Sequence, residues 1–208
     1  MDNTPYIPIQ KEGHFTDAIA SQLLDDLPAA QYHFKIATTR LLDINNWHQI
    51  CPIKASVFRQ TDSQGNPKEG QAKIGNLIRI DIPGPGSNVG DGFDWVMIQN
   101  IEEITATGID KEVLVMKVKP CANPHAESVD TAHFLNDAAT STFIVARQGR
   151  LIQAEVHGRN EVPNLKIDGI ADKARNAIIG LGAILGISVL QWKLLTEGIV
   201  SLNNDRGI

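Results

Sequence analysis

What the chain lacks narrows it first. It has only two cysteines in 208 residues, Cys51 and Cys121. They lie far apart and form no CxxC pair. That excludes a disulfide scaffold and leaves two free, buried thiols as the expectation. No basic run interleaved with aromatics occurs, and the formal net charge is -5. Both facts argue against nucleic acid as a partner. Met1 to Gly13 carries Asp2, Lys11 and Glu12 but no apolar segment of the signal-peptide kind, so the protein is expected in the cytoplasm. The glycine-rich stretch Pro83 to Gly92 has no G-K-[ST] and no helix start, so it is not a phosphate loop. Asp91 and Asp94 beside it do not have the spacing of an EF-hand.

Long apolar runs are also scarce, with one exception. Asn176 to Trp192 is free of charge for seventeen residues, between Arg175 and Lys193. A membrane span usually needs about 20 apolar residues. The run is short of that, Ser188 and Gln191 interrupt it, and positive charge flanks both ends. It reads best as a buried core helix. Gly182 and Gly186 at G-x-x-x-G spacing would also suit a partner helix or a second copy of the chain. Gly180, Gly182 and Gly186 mark the expected point of closest approach.

Hydrophobic residues make up 42% and charged residues 21%, ordinary values for a chain long enough to bury a core. The organisation is read as a single domain, 1–208. It comprises an irregular arm at 1–13, an N-terminal helix at 14–29, a mainly antiparallel sheet at 30–169 and a C-terminal helix at 170–202. The first helix rests on Thr16 as cap, on Ile19, Leu23, Leu24 and Leu27 at helical spacing, and on Pro28 as stop. Tyr32, Phe34 and Ile36 alternate with His33 and Lys35, as in a short strand. A helical piece from Thr38 to Ile44 follows, then Trp47 and Pro52.

Strands are expected at Ser56 to Gln60, Asn76 to Ile82, Trp95 to Ile104 and Val113 to Lys119. A hairpin follows, with Thr140 to Arg147 and Arg150 to Glu161 around Gln148-Gly149. In that hairpin Val145 faces Ile152 and Phe143 faces Ala154. Helices bracketing a run of antiparallel strands make an α+β protein.

The passage from Tyr32 to Ile36, the segment T-T-R-L-L-D-I-N-N-W with Pro52, the strands of 55–161 and the closing helix resemble the helix-grip superfamily of START-like and SRPBCC proteins. The resemblance covers about residues 30–202. It rests on element order and carries over no catalytic residue. It implies an antiparallel sheet curled around the C-terminal helix, with the N-terminal helix as an extra element. It also implies an apolar cavity between sheet and helix that takes a small hydrophobic or lipid-like molecule. The expected wall residues are Ile80, Ile82, Trp95, Met97, Phe143, Val145, Ala154 and Val156. Ile179, Ala183 and Leu190 join them from the helix, with Trp47 at the entrance.

Two further clusters carry chemistry. Glu155, His157, Arg159 and Glu161 recur at i, i+2, which places them on one face of a strand. Glu155 and His157 are the candidate acid–base pair for a hydrolase or cyclase; a solvated outer face is the plainer reading. Cys121, His125 and His133, with Cys51 and His48, hold zinc-ligand types without the paired spacing of a structural site. No metal and no cofactor are expected.

Overall fold

The computed structural model describes residues 1–51, 56–82, 90–106, 110–164 and 174–202, without the side chains of 174–185 and 187. Most of the stretch Pro83 to Gly92, Pro52, the Gly108 turn, and Asp168-Gly169 therefore lie outside the described residues.

The architecture is α+β. Strand β1 (His14–Leu23) leads into helix α1 (Leu27–Leu42) and the short helix α2 (Trp47–Ile50). Strands β2 (Val57–Thr61), β3 (Leu77–Asp81), β4 (Asp94–Ala106), β5 (Lys111–Pro120), β6 (Thr140–Gln148) and β7 (Leu151–Glu161) follow. Helix α3 (Ala174–Val200) closes the chain. The seven strands form one antiparallel sheet in the order β1-β7-β6-β5-β4-β3-β2. Helix α3 packs against β1 at one edge, and its Trp192 stacks on Phe58 of β2 at the other. A single helix touches both edges only if the sheet curls around it.

Two expectations at the N-terminus are corrected. Residues 14–29 do not make a helix; His14–Leu23 is the edge strand β1. Only Thr16 and Ala18 are buried there, whereas Ile19 and Leu23 are exposed. Their four-residue spacing imitated a helix, but the pattern the fold uses is alternation. Tyr32, Phe34 and Ile36 belong to α1, not to a strand. The buried face of α1 is Ala30, His33, Ala37 and Leu41, at a spacing of three to four residues. Its large aromatic Tyr32 points to solvent. Pro28 does not stop this helix. It sits in the first turn, where a missing N–H costs nothing, and the Asp26 carboxylate caps the helix by accepting from the N–H of Ala29 at 2.8 Å. The helix near the N-terminus is thus displaced by about one element, and it leads into the Trp47 turn.

The β6–β7 hairpin forms with its register displaced by two. Val145 faces Ala154, Phe143 faces Val156 and Gln148 faces Leu151. The turn is Gly149-Arg150, with Gly149 at φ +57°, a conformation glycine adopts freely. An even displacement leaves every side chain on its expected face.

The concave face and α3 enclose the main core, including Leu41, Ile78, Ile98, Met116, Ile152 and Leu195. The convex face is not bare. The N-terminal arm lies on it, with Met1, Tyr6 and Ile7 against Val113, Val115, Ile144 and Ala146. Helix α1 satisfies the end of α3: Arg40 Nη1 donates to the carbonyls of Ile199 and Ser201. His33 Nε2 bonds the Val200 carbonyl at 2.9 Å. These side chains serve carbonyls that a helix C-terminus otherwise leaves unpaired.

The expected close approach of α3 is also moved. Nothing lies within 4 Å of a side chain added at Gly186, and the surroundings of Gly180 and Gly182 lie outside the described residues. The tight contact is at Gly198, where an added Cβ would run into the backbone carbonyl of Ile50.

Candidate functional site

Between the concave face and the second half of α3 lies a cavity of about 60 Å³. At the ~10–15 Å³ needed per water centre, it has room for roughly four to six waters. Its floor is aromatic. Trp47 meets Phe58 edge-on and Phe143 at a tilt, with ring centres 5.2 and 5.3 Å apart. Trp192 meets Phe58 and Phe143 at 5.6 and 5.5 Å. Ile78, Ile80, Ile82, Val96 and Val118 complete the apolar wall. Ser188, Gln191 and Trp192 come from α3.

Of the expected wall residues, Ile80, Ile82, Phe143 and Trp47 line this space. Trp47 is its buried floor at 2% exposure, not an entrance. Val145, Ala154 and Val156 share the concave face but are buried in the core beyond the cavity. Trp95 and Met97 point the other way. Trp95 packs with Leu77 and Ala132 behind the sheet, and Met97 is partly exposed. Trp95-Val96-Met97-Ile98 is apolar at every position, so alternation could not show which pair faces inward; Val96 and Ile98 do. Leu190 is exposed on α3, and the side chains of Ile179 and Ala183 lie outside the described residues.

One end of the cavity is polar, and there β7 departs from simple alternation. Thr16 pairs with Gly158, but His14 pairs with Glu161. The extra residue forms a bulge, with Asn160 in the left-handed region at φ +55°. Asparagine tolerates that region better than most residues. The bulge carries Glu161 from the convex face to the concave one. There its carboxylate accepts from Thr16 Oγ1 at 2.9 Å and lies over Gly158, leaving no space for a Cβ. Ser141 faces Gly158 across the β6–β7 pair. The segment after β5 brings in His133 and Phe134. It is fixed to the residues just after β7 by the Leu135–Pro163 bridge and to β4 by the Phe134 N–H, which donates to Asp94 Oδ1 at 3.0 Å.

Burial pushes each titratable group here toward its uncharged form. Asp94 is pushed up to about 7, against the opposing Phe134 N–H. Glu161 is raised by burial, which outweighs the Thr16 hydroxyl. His133 is pushed down to about 3 by burial, opposed by its bond to Leu135. His133 Nδ1 accepts the Leu135 N–H at 3.0 Å, so the neutral ring carries its proton on Nε2. Sequence reasoning passed over His133 as a wall residue and put Glu161 on the wrong face. Gly158 and Asn160 were the available signals of a bulge.

The acid–base candidates lie elsewhere. Glu155 and His157 are buried, but on the convex side, where the N-terminal arm covers them. Asn3 Nδ2 donates to Glu155 Oε1. His157 Nε2 meets Glu155 Oε2 at 2.7 Å, and its Nδ1 meets Asp17 Oδ1 at 2.5 Å. Arg159 also pairs with Asp17, at 2.7 Å. The pair does not face the cavity, as a catalytic role there requires, and the face is not a solvated one. It is an ionic cluster under the arm. Burial alone would lower the pKa of His157; the two carboxylates outweigh it and hold the pKa above its ordinary value.

A raised folded-state pKa means that the native protein holds this proton more tightly than the unfolded chain. The contribution is complete below the unfolded value of about 6.5 and is lost as pH rises through the folded one. Urea midpoints measured from pH 6 to 9 should therefore fall more steeply for the native chain than for His157→Gln. Parallel curves would show that the cluster contributes nothing through this proton.

The sulfur and imidazole groups do not converge. Among the described residues no three His, Cys, Asp or Glu side chains are placed to hold a metal. Burial pushes the Cys121 thiol up to about 12, His125 packs edge-on against Trp95, and Cys51 is buried beside α3. Of the glycine-rich stretch, the described Asp91 accepts from Asn123 Nδ2 at 3.1 Å.

No family model matches the chain, and no curated protein matches its sequence. Among solved structures it is similar to a hypothetical protein from Helicobacter pylori, at 12% identity and a TM-score of 0.48, covering 96% of this chain and 93% of that one. It is also similar to Ara h 8.0201, at 12% identity and a TM-score of 0.32, covering 90% and 99%. A major latex-like protein from Panax ginseng is similar at 10% identity and a TM-score of 0.31, covering 86% and 99%. The fold is a helix grip. That statement rests on the strand order, the curl of the sheet and the enclosed α3; likenesses this distant carry no functional conclusion. Among the described residues, no helix is long and apolar enough to cross a membrane.

Proposed function

We propose that the protein binds a small hydrophobic molecule in the cavity between the sheet and α3. The observation that supports this is the aromatic floor. Trp47, Phe58, Phe143 and Trp192 pack on one another as a rigid cluster, and all four border an unfilled space. Cores are packed to nearly crystalline density, so room for several waters against four aromatic rings is poorly used unless something occupies it. Largely apolar walls with a few polar groups are what small-ligand sites have. The room corresponds to about four to six waters at ~30 Å³ of liquid each, which is a molecule of one or two rings.

Titration with naphthalene is the direct test. Amide and side-chain NMR shifts should move for Phe58, Val96, Val118, Phe143 and Trp192, and the same shifts should be absent in Val118→Trp, which fills the space. Shifts scattered over the surface, or none up to the solubility limit, would remove the proposal. Native mass spectrometry of freshly purified protein would show whether a ligand travels with it.

A further inference from the structure

The polar end of the cavity specifies what the ligand carries. This inference rests on the cavity being a ligand site and goes on to its chemistry. Two wall groups there lack a protein partner among the described residues. The first is His133 Nε2. The side chain is 6% exposed, and its only recorded hydrogen bond is made by Nδ1 to Leu135. The second is Glu161 Oε1. The residue is also 6% exposed, and its other oxygen is taken by Thr16. Ser141 Oγ, opposite Gly158, adds a hydroxyl that can donate or accept. Buried polar groups are nearly always hydrogen-bonded, so a donor and an acceptor left open on one cavity wall ask for a partner.

The two groups ask for different things. His133 Nε2 is a donor, because Nδ1 already accepts. Glu161 is an acceptor when ionised and holds a proton more readily than a solvated carboxyl. A carboxylate ligand would satisfy His133 but would meet Glu161. An ammonium ligand would satisfy Glu161 but would present N–H groups to the N–H of His133. A carboxylate also finds no counterion among the lining residues, which include no Lys or Arg, and an unpaired buried charge is costly. A hydroxyl accepts from one group and donates to the other without bringing charge into an apolar space.

We infer that Glu161 and His133 form a hydroxyl-recognising subsite, and that the ligand is an apolar, ring-sized alcohol or phenol with its hydroxyl at this end and its rings over Phe58, Phe143 and Trp192. The bulge at Asn160 is the backbone device that creates the subsite, because it alone turns Glu161 inward.

Calorimetric titrations with 2-naphthol, naphthalene, 2-naphthoate and 2-(aminomethyl)naphthalene separate the possibilities. The expected result is 2-naphthol binding at least tenfold more tightly than each of the others. Glu161→Met and His133→Phe, made separately, should each cut the ratio of 2-naphthol to naphthalene affinity at least fivefold, and retained naphthalene binding in the same variants reports that the cavity is intact. Ser141→Ala is a third variant that leaves the Thr16 and Leu135 bonds in place, and should cost less. If naphthalene binds and 2-naphthol binds no better, the subsite is wrong and the cavity reading stands. If no compound binds, the cavity reading fails and takes the subsite with it. Tighter binding of the carboxylate or the amine overturns the hydroxyl assignment. A hydroxyl advantage that persists in both Glu161→Met and His133→Phe overturns the assignment to these residues.

Discussion

Replacing Trp47 with Ala is expected to lower the free energy of unfolding by about 3–5 kcal/mol. The indole is 2% exposed. Its Nε1–H donates to the Leu41 carbonyl at 3.0 Å, and its ring supports both Phe58 and Phe143. Truncation removes the largest fully buried side chain in the core, strands a carbonyl acceptor and extends the existing cavity. A domain's total stability is about 5–15 kcal/mol, so the variant is expected at the margin of folding. Trp47→Phe should lose less, since it keeps the ring contacts and gives up the hydrogen bond. Urea unfolding measures both. A loss below about 1 kcal/mol for Trp47→Ala would show that the space collapses, which would also count against a preformed cavity.

The second large effect reverses a usual sign. Glycine to alanine inside a helix commonly stabilises by about 0.5–1 kcal/mol. Gly186→Ala should do so, because nothing lies within 4 Å of the added methyl group. Gly198→Ala should instead destabilise by about 1–3 kcal/mol. Its methyl group meets the backbone carbonyl of Ile50, which cannot rotate aside as a side chain would. The movement would spread to α2 and Trp47, so the aromatic floor should loosen together with the helix joint. Thermal unfolding of the two variants side by side is the check. Equal shifts in the same direction would mean that α3 does not seat on α2 at Gly198.

These two residues also show what could be read before the fold was known. Trp47, at the end of a helical passage, was legible as part of the site because a lone tryptophan in a turn must be covered by something. Gly198 was passed over because its neighbours in sequence say nothing about Ile50. The glycines that drew attention, at 180, 182 and 186, stood in a conspicuous spacing, and at Gly186 the spacing meets open space. At the N-terminus local pattern misled twice. Ile19, Leu23 and Leu27 recur like a helix face in what is partly an edge strand. Tyr32, Phe34 and Ile36 alternate like a strand in a helix whose buried face is made of small residues and a histidine. Ile19, Leu23 and Tyr32 lie exposed and Phe34 and Ile36 only half-buried, so hydrophobicity was a poor guide to burial.

Helix α3, whose apolar run invites a membrane reading, packs on the sheet with Leu195 and Ile199 in the core. The sequence by itself determined strands β2 to β5, the β6–β7 hairpin, the closing helix and the α+β class, because these follow from alternation, turn residues and run length along the chain. The tertiary structure decided which wall residues meet, because four consecutive apolar residues in β4 have no readable phase. It also decided the fate of the Glu155–Glu161 series. The N-terminal arm buries Glu155 and His157 on the convex face, and one left-handed residue, Asn160, turns Glu161 through the sheet into the cavity. Side-chain direction in a strand is a cumulative count of residues, and a single bulge resets it.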